Sequence, residues 1–448
     1  MFRLLSFSLF LIFTHPLFGQ ADYIKRAGGA STDLANGLWS DAKQQVFVTG
    51  SFSGQAKFHK SEVFSRGGGD VFITKYNPDG IPLWVRTFGG KLDDFANAIT
   101  GDPEGNLYLT GVFTDTAYFE GEPLFSKGPD VFVVKLNPKG QLIWVRNLGT
   151  LGSAIPQAIA VTDQGGVYIG GLFSGQFNKA TPRQMGQTDG FVTKLTWDGE
   201  YSWTKVLGGP GFDEVNLLKT DAWGRVVAAG VFDQTMWAED QELIGMSSKS
   251  AFVARLEATG ALQWANNFTG SDAGVLISDA ACDLEGNVYL TGKFSSETIF
   301  ETQSKISKGQ TDIYVCRLGT KGSLEWVSVL GGSEVEEALA LQISPDGKHL
   351  LVAGFFNIML EYGKRSLQAD FENQFFLSRW DLRGNLDEIR KQDFHSSFQC
   401  AGRRLSSAGQ IWLCGSFSEK ARFGKSEFVS AGEEDVFLVS FHDSRIAR

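Results

Sequence analysis

The pair Gly-x-Phe recurs seven times along this chain, as Gly50/Phe52, Gly111/Phe113, Gly171/Phe173, Gly230/Phe232, Gly292/Phe294, Gly354/Phe356 and Gly415/Phe417. Successive glycines stand 61, 60, 59, 62, 62 and 61 residues apart. A fixed period of this length means one supersecondary unit used repeatedly, since a single unit cannot bury its own apolar face and must stack on its neighbours. Glycine inside a strand marks close backbone approach, and phenylalanine packs between layers. A pair present in every unit therefore reads as architecture rather than as the lining of a ligand channel.

Residues 91–150 spell the unit most clearly. Phe95 to Thr100 is a short strand, followed by the turn Asp102-Pro103-Glu104-Gly105 and a second strand, Asn106 to Phe113. After a longer connection, Asp130 to Leu136 alternates in period two, the pattern of a half-buried strand. Asn137-Pro138-Lys139-Gly140 suits a type I turn, and Leu142 to Leu148 is the fourth strand. A tryptophan four residues after the turn glycine recurs as Trp84, Trp144, Trp203, Trp264 and Trp326. It is expected to pack on the neighbouring unit rather than to stack on sugars. An acidic residue opens the third strand (Asp70, Asp130, Asp189, Asp312, Asp435), and a basic residue near its end, such as Lys75 or Lys135, is expected to point outward.

Four antiparallel strands per unit make one blade of a β-propeller. The last unit stops at its third strand, Asp435 to Phe441, while Tyr23 to Gly29 aligns with the fourth-strand segment Trp84 to Gly90. The expected fold is all-β: a seven-bladed propeller whose ring is closed by the N-terminal strand completing the last blade. Residues 1–20 read as a signal peptide, with Arg3 before the apolar run Leu4 to Phe13. Residues 21–448 form a single domain with repeats at about 30–90, 91–150, 151–209, 210–270, 271–332, 333–395, and 396–448 plus 22–29.

Segments such as Asp130 to Gly149 (DVFVVKLNPKGQLIWVRNLG) and Asp283 to Gly292 (DLEGNVYLTG) resemble the SBBP-type β-propeller repeats of exported bacterial proteins. The resemblance covers residues 22–448 and implies a propeller and export to the periplasm or the exterior. The sixth unit departs from it, with Gln374 for the aspartate and Glu388 for the tryptophan, and so do Thr150 and Thr269 in the glycine pairs. A looser similarity to quinoprotein-type propellers comes without a cofactor-pocket signature.

A net charge of −10 argues against a nucleic-acid partner, which requires a basic face. The run Leu4 to Phe13 is too short to span a bilayer and no other apolar run is long enough, and a monomer is expected. Cys400 and Cys414 flank the turn Ser406 to Gly409, a spacing that allows a disulfide on a hairpin or, alternatively, two buried thiols. Cys282 and Cys316 fall on the first and third strands of one blade, too far apart to bond.

The loops from each fourth strand to the next first strand carry Asp33, Asp93, Asp94, Asp213, Glu214, Asp272, Glu334, Glu336 and Glu337. They form a candidate acidic rim able to recruit a basic partner or a cation, against the simpler reading of solvated turn charges. The Asp-x-x-Gly turns offer too few oxygens for a calcium loop and read as Asx turns. No metal-ligand spacing, nucleophile elbow or phosphate loop is present, and no catalytic residue or cofactor is expected. The functional expectation is an exported, non-catalytic scaffold that binds a protein or polysaccharide partner through its loop face. The alternative is a carbohydrate-active enzyme (a glycan hydrolase or lyase) using carboxylates at the channel mouth, such as Asp213 and Glu214. The stretches between second and third strands (Ser51 to Gly69, Asp233 to Lys249, Asn357 to Glu372) vary most and are the expected source of specificity.

Overall fold

The structure, a computed structural model, describes residues 23–149, 152–176, 184–246, 249–270, 274–395, 399–405, 410–423 and 426–442. Among them the chain is all-β, with no helical residue. In the unit at 91–149 the strands are Phe95–Gly101, Leu107–Phe119, Glu122–Leu136 and Leu142–Asn147, each antiparallel to the next. The same meander opens on Asp33–Ser40, Ser153–Val161, Glu214–Thr220, Val275–Cys282, Glu336–Ile343 and Gln399–Leu405. Repeated four-stranded meanders stacked face to face are the architecture of a β-propeller.

The repeated glycine has a local cause. Ala96 pairs with Gly111 and the next ladder pair is Ala98 with Thr110, so Asn97 is the extra residue of a β-bulge. The bulge brings the Phe95 carbonyl oxygen to 2.0 Å from where a Cβ on residue 111 would sit, so a side chain there is excluded. Equivalent register shifts face Gly50, Gly171, Gly230, Gly292, Gly354 and Gly415.

The phenylalanine two residues on belongs to the core in every unit. Phe52, Phe113, Phe173, Phe232, Phe294, Phe356 and Phe417 are between 0% and 3% exposed. Five of them meet a ring of the hairpin or third strand: Phe52 with Phe58 (6.4 Å between centres), Phe173 with Phe191 (6.3 Å), Phe232 with Phe252 (6.5 Å), Phe294 with Phe300 (5.5 Å) and Phe356 with Phe376 (6.1 Å). Phe113 packs with Phe119 and Phe132, and Phe417 with Ala421 and Phe437. Burial takes all seven rings out of reach of a ligand. They are packing anchors and not site residues, which excludes a channel lining made of Gly-x-Phe pairs.

The variable stretches between second and third strands are ordered hairpins rather than loops. Thr235–Ala238 pairs with Gln241–Ile244, Glu297–Phe300 with Gln303–Ile306, Met359–Tyr362 with Arg365–Gln368, and Lys420–Phe423 with Ser426–Val429. In the first two units the long strands simply run on into the hairpin. Each of several hairpins also pairs with the end of the preceding unit's fourth strand, as Gly89 with Tyr118, Leu207 with Ala238 and Gly270 with Thr298. At the turn, Glu120 accepts a hydrogen bond from Leu142 N (2.9 Å), on the fourth strand of its own unit. The hairpin thereby staples two neighbouring units along their outer edges.

A second clasp joins units at the opposite end of the strands. Trp144 Nε1 and Lys135 Nζ both donate to the Trp197 carbonyl in the next unit's turn, at 2.9 and 3.4 Å. Trp203 and Lys194 converge likewise on Ala258 O, and Trp264 and Arg255 on Thr320 O. Trp326 donates to Leu382 O in the same way. Each tryptophan lies over the neighbour's turn glycine; a Cβ at Gly140 (φ +74°) would meet the Trp84 ring at 2.9 Å. The tryptophans are inter-unit packing residues, as the repeat implies. The basic residues were expected outside, yet Lys75 and Lys135 are 8% exposed and Arg255 is fully buried. Facing carbonyls and aromatic rings compensate their desolvation: Lys135 Nζ lies 4.8 Å from the centre of the Trp197 ring. In the degenerate sixth unit, Glu388 takes the tryptophan's place and ion-pairs with Arg379 (3.8 Å).

Core side chains pool between adjacent units. Phe47, Val71 and Ile73 pack with Leu107, Leu109 and Phe132, and Trp412, Val436 and Leu438 pack with Ala27, Val46, Phe52 and Phe72. Tyr23–Gly29 pairs with Asp435–His442, from Tyr23 opposite Ser440 to Ala27 opposite Val436. Residues 1–20 and the turn Ser406 to Gly409 lie outside the described residues. Cys400 is opposite Gly415 and Cys414 opposite Gly402, and the Cys400 side chain lies outside the described residues. Cys282 and Cys316 are free thiols.

Candidate functional site

Three surfaces qualify as sites: the junctions between units, the inner cavity, and the shoulder formed by the hairpins. The junctions bury four of the nine acidic rim residues singled out in the sequence. Asp94 is buried; its carboxylate accepts hydrogen bonds from Gly90 N (2.7 Å) and Thr114 N (3.0 Å). Asp33 is bonded by Gly29 N (2.6 Å), Asp213 by Gly209 N (2.6 Å) and Glu336 by Gly332 N (2.9 Å), and all three are buried. Each carboxylate thus ties the glycine turn that leads from one unit into the next, which takes these four residues off the exposed rim.

Beside each stands the aspartate that opens a third strand. A Cβ on Gly28 would lie within 3 Å of both Asp435 and Asp33, and the side chains of Asp70, Asp189 and Asp312 crowd Gly89, Gly208 and Gly331 in the same way. Burial, then the like charge of the neighbour, pushes Asp33, Asp94, Asp213 and Glu336 up to about 7. Burial also raises Asp70 to about 6, and raises Asp189, Asp312 and Asp435. Asp33 Oδ1, Asp70 Oδ1, Asp189 Oδ1, Glu336 Oε1 and Asp435 Oδ1 are buried and accept no hydrogen bond.

The remaining rim residues are dispersed. Asp93 is exposed and accepts from Gly69 N (2.9 Å). Glu214, Glu334 and Glu337 are half-buried, and Glu337 pairs with Lys293 (3.4 Å). Asp272 lies outside the described residues. Among the described residues no three His, Cys, Asp or Glu side chains gather as a metal site would require. Nor is any helix there long and apolar enough to cross a membrane.

The first strands surround a cavity of about 420 Å³. Its lining includes the bulge residues Asn36, Asn97, Gln157, Asn216 and Ser278, and none of the seven repeat phenylalanines. Asn36 Nδ2 donates to Ala96 O (3.0 Å) and Asn97 Nδ2 to Pro156 O (2.8 Å), each reaching into the next unit. Lys219 also lines the cavity, with its Nζ 2.8 Å from Asp279 Oδ1.

The shoulder presents residues that the sequence did not single out one by one, although Phe64 and Ile244 fall in the variable stretches expected to carry specificity. Phe64, Phe125, Ile244, Ile306 and Val429 are 63%, 67%, 63%, 70% and 53% exposed. All occupy the same place on their hairpins, opposite Gln55, Thr116, Thr235, Glu297 and Lys420. In the sixth unit Gln368, opposite Met359, fills that place. The junction loops lie at the same end of the units, since Gly69 O accepts from Asp94 N and Glu334 O from Gln310 N. A signal was present: each of the five stands fourteen residues after its unit's Gly-x-Phe glycine, and each cavity amide or serine fourteen before it.

No family model matches the chain. It is 22% identical over 439 residues to an uncharacterized WD repeat-containing protein of Acanthamoeba polyphaga mimivirus, across 78% of this chain and 31% of that protein. It is 25% identical over 231 residues to the regulatory protein FlaEY of Caulobacter vibrioides, across 47% of this chain and 24% of that protein. The chain therefore spans a third or less of the length of these curated relatives. Among solved structures it is similar to the WD40 domain of Neurospora crassa Pan2, with a TM-score of 0.47 and 12% identity over 90% of this chain and 88% of that one.

Proposed function

We propose that the chain is an exported, non-catalytic propeller of seven blades, closed by its N-terminal strand, that docks a protein partner on the hairpin shoulder. The observation that carries the docking reading is the repeated exposure of Phe64, Phe125, Ile244, Ile306 and Val429. One apolar side chain on a surface is ordinary, but the same outward position filled by large apolar residues in five units is a patterned surface. The hairpins of Phe125, Ile244 and Ile306 are held by the preceding unit's fourth strand, and that of Phe125 also by its own fourth strand, so the surface is rigid and binding orders little. Closure is supported by the ladder between Tyr23–Gly29 and Asp435–His442. It is also supported by the core shared between Trp412, Val436, Val46 and Phe72. Membership of the SBBP-type family and export to the periplasm or exterior are parts of the same proposal.

Apolar docking and acidic-rim docking respond oppositely to salt, because only charge pairing is screened. The test is capture of a partner from the secreted and envelope fractions of the protein's own source, by the chain and by its Phe64→Ser/Phe125→Ser/Ile244→Ser variant. A partner retained in high salt and lost by the variant, with the melting temperature unchanged, is expected. Truncating such anchors weakens binding by about 2 kcal/mol each where they are central. A partner released by salt and captured equally by the variant contradicts the shoulder. Sedimentation of the chain alone separates a second copy from a foreign partner.

A further inference from the structure

We propose that a recess in the first unit binds a small carboxylate with an apolar body. It lies apart from the surfaces that recur along the chain, between the hairpin turn Phe58 to Ser61 and the strand segment Ile81 to Val85, and encloses about 280 Å³. Other units show what this place holds. In three of them the hairpin turn begins with a glutamate whose carboxylate accepts a backbone N–H of the fourth strand. Glu120 accepts from Leu142 (2.9 Å), Glu239 from Leu262 (3.2 Å) and Glu301 from Leu324. A basic residue of the preceding unit's fourth strand flanks two of them, Arg86 at 3.9 Å from Glu120 and Lys205 at 2.5 Å from Glu239. In the first unit both ends of this clasp are changed. His59 takes the turn position with the same left-handed backbone, φ +57° against +49°, +53° and +53° for the glutamates. Pro82, opposite Tyr76 as Leu142 is opposite Leu136, takes the strand position and has no N–H to donate. Lys25, opposite Leu438 as Arg86 is opposite Ile73, keeps the basic residue of the preceding strand. His59 and Pro82 both line the recess, so the open space lies where other units seat a carboxylate of their own.

The lining suits a carboxylate supplied from outside. His59, Lys60 and Ser61 are exposed and carry N–H and O–H donors, and no aspartate or glutamate is among the described lining residues. An anion entering the recess therefore meets donors and no like charge in its walls. Leu83, Val85 and the half-buried Trp84 form the facing wall, which an apolar body covers. The volume is close to the ~300 Å³ at which small-molecule sites begin and accommodates one aromatic ring on a short chain.

The probe is 3-phenylpropionate, titrated calorimetrically into the full chain, with 3-phenylpropanol as a neutral molecule of the same shape. Saturable binding of the acid, about tenfold tighter than that of the alcohol, is expected. His59→Glu restores the residue of the other units, in a backbone conformation that glutamate adopts there, and is expected to abolish the binding by filling the recess with a carboxylate. Adding Pro82→Leu to it rebuilds the whole clasp and keeps the site closed, with a melting temperature no lower than the parent's. Lys60→Gln, an exposed change that leaves the core untouched, is expected to weaken binding about threefold and reads the site independently of the turn. Absence of saturable 3-phenylpropionate binding, equal affinity for the alcohol, or full affinity in His59→Glu overturns the proposal.

Discussion

A chain starting at Ala30, without Tyr23–Gly29, is expected to lose its cooperative thermal transition and to aggregate on refolding. The deleted strand makes a ladder of paired residues from Tyr23–Ser440 to Ala27–Val436, and its last two glycines pair with Lys57 and Ala56 of the first unit. Ala27 is 4% exposed in the core that joins the last unit to the first. Arg26 lies 3.5 Å from the buried Asp435 and donates to Val429 O. Cross-strand pairs contribute about 0.2–1 kcal/mol each, so the strand supplies several kcal/mol before its buried area is counted. Its removal bares the edge of Asp435–His442, and an open edge of apolar strand templates association. A synthetic peptide of residues 21–30, added in trans, should restore the transition. Unchanged melting and a monodisperse elution profile for the truncated chain would refute this role of the strand.

Acidification is expected to stabilise the protein between pH 8 and pH 5. Asp33, Asp94, Asp213 and Glu336 are held at about 7 by burial and by the aspartate beside each, well above their values in an unfolded chain. A carboxyl group whose pKa is raised by folding favours the native state when protonated. That contribution is complete below the unfolded value and is lost as pH rises through about 7. Within each pair one proton shared between the two carboxyl groups relieves the repulsion and supplies a donor to an orphaned oxygen. The carboxylates that folding lowers, Glu239, Asp346 and Asp381, sit at or near the surface and act more weakly in the opposite sense. Thermal unfolding should give a melting temperature at pH 5 higher than at pH 8 by about 5 °C, the scale of a few kcal/mol in a large domain. Asp94→Asn should flatten the profile. A melting temperature that climbs with pH across this window would show that the buried pairs ionise freely.

The repeat was legible because its anchors answer to backbone geometry. Gly111 faces a bulge that leaves no room for a Cβ, and Trp144 covers the turn glycine of the next unit, so both must return at the same offset. Phe173, Phe232, Phe294, Phe356 and Phe417 return for the companion reason that each fills the same buried slot beside that bulge, which is also why none of them belongs to a site. The hairpins escaped notice because strands of four residues, such as Gln241–Ile244, are too short for period-two alternation to register. Lys135 was read as outward since its position alternates with Val134 and Leu136, yet inter-unit packing buries both faces of a third strand. Asp93 and Asp94 are adjacent carboxylates in the sequence, and only the fold distinguishes the exposed one from the one bonded to Gly90. The cavity amides were hidden for a related reason: a bulge breaks the alternation that would have assigned Asn36 and Asn97 to a face.

Closure of the ring by the first strand is tested most directly by a cross-link. Ala27 and Val436 are directly opposed, small and buried, so Ala27→Cys with Val436→Cys disturbs the core little. Opposed strand residues lie at the separation a disulfide spans. Under mild oxidation the account predicts an intramolecular bond between positions 27 and 436, recovered as one cross-linked peptide pair from a monomer with a raised melting temperature. Exclusively intermolecular dimers, or two cysteines that stay reduced in the folded protein, would contradict it.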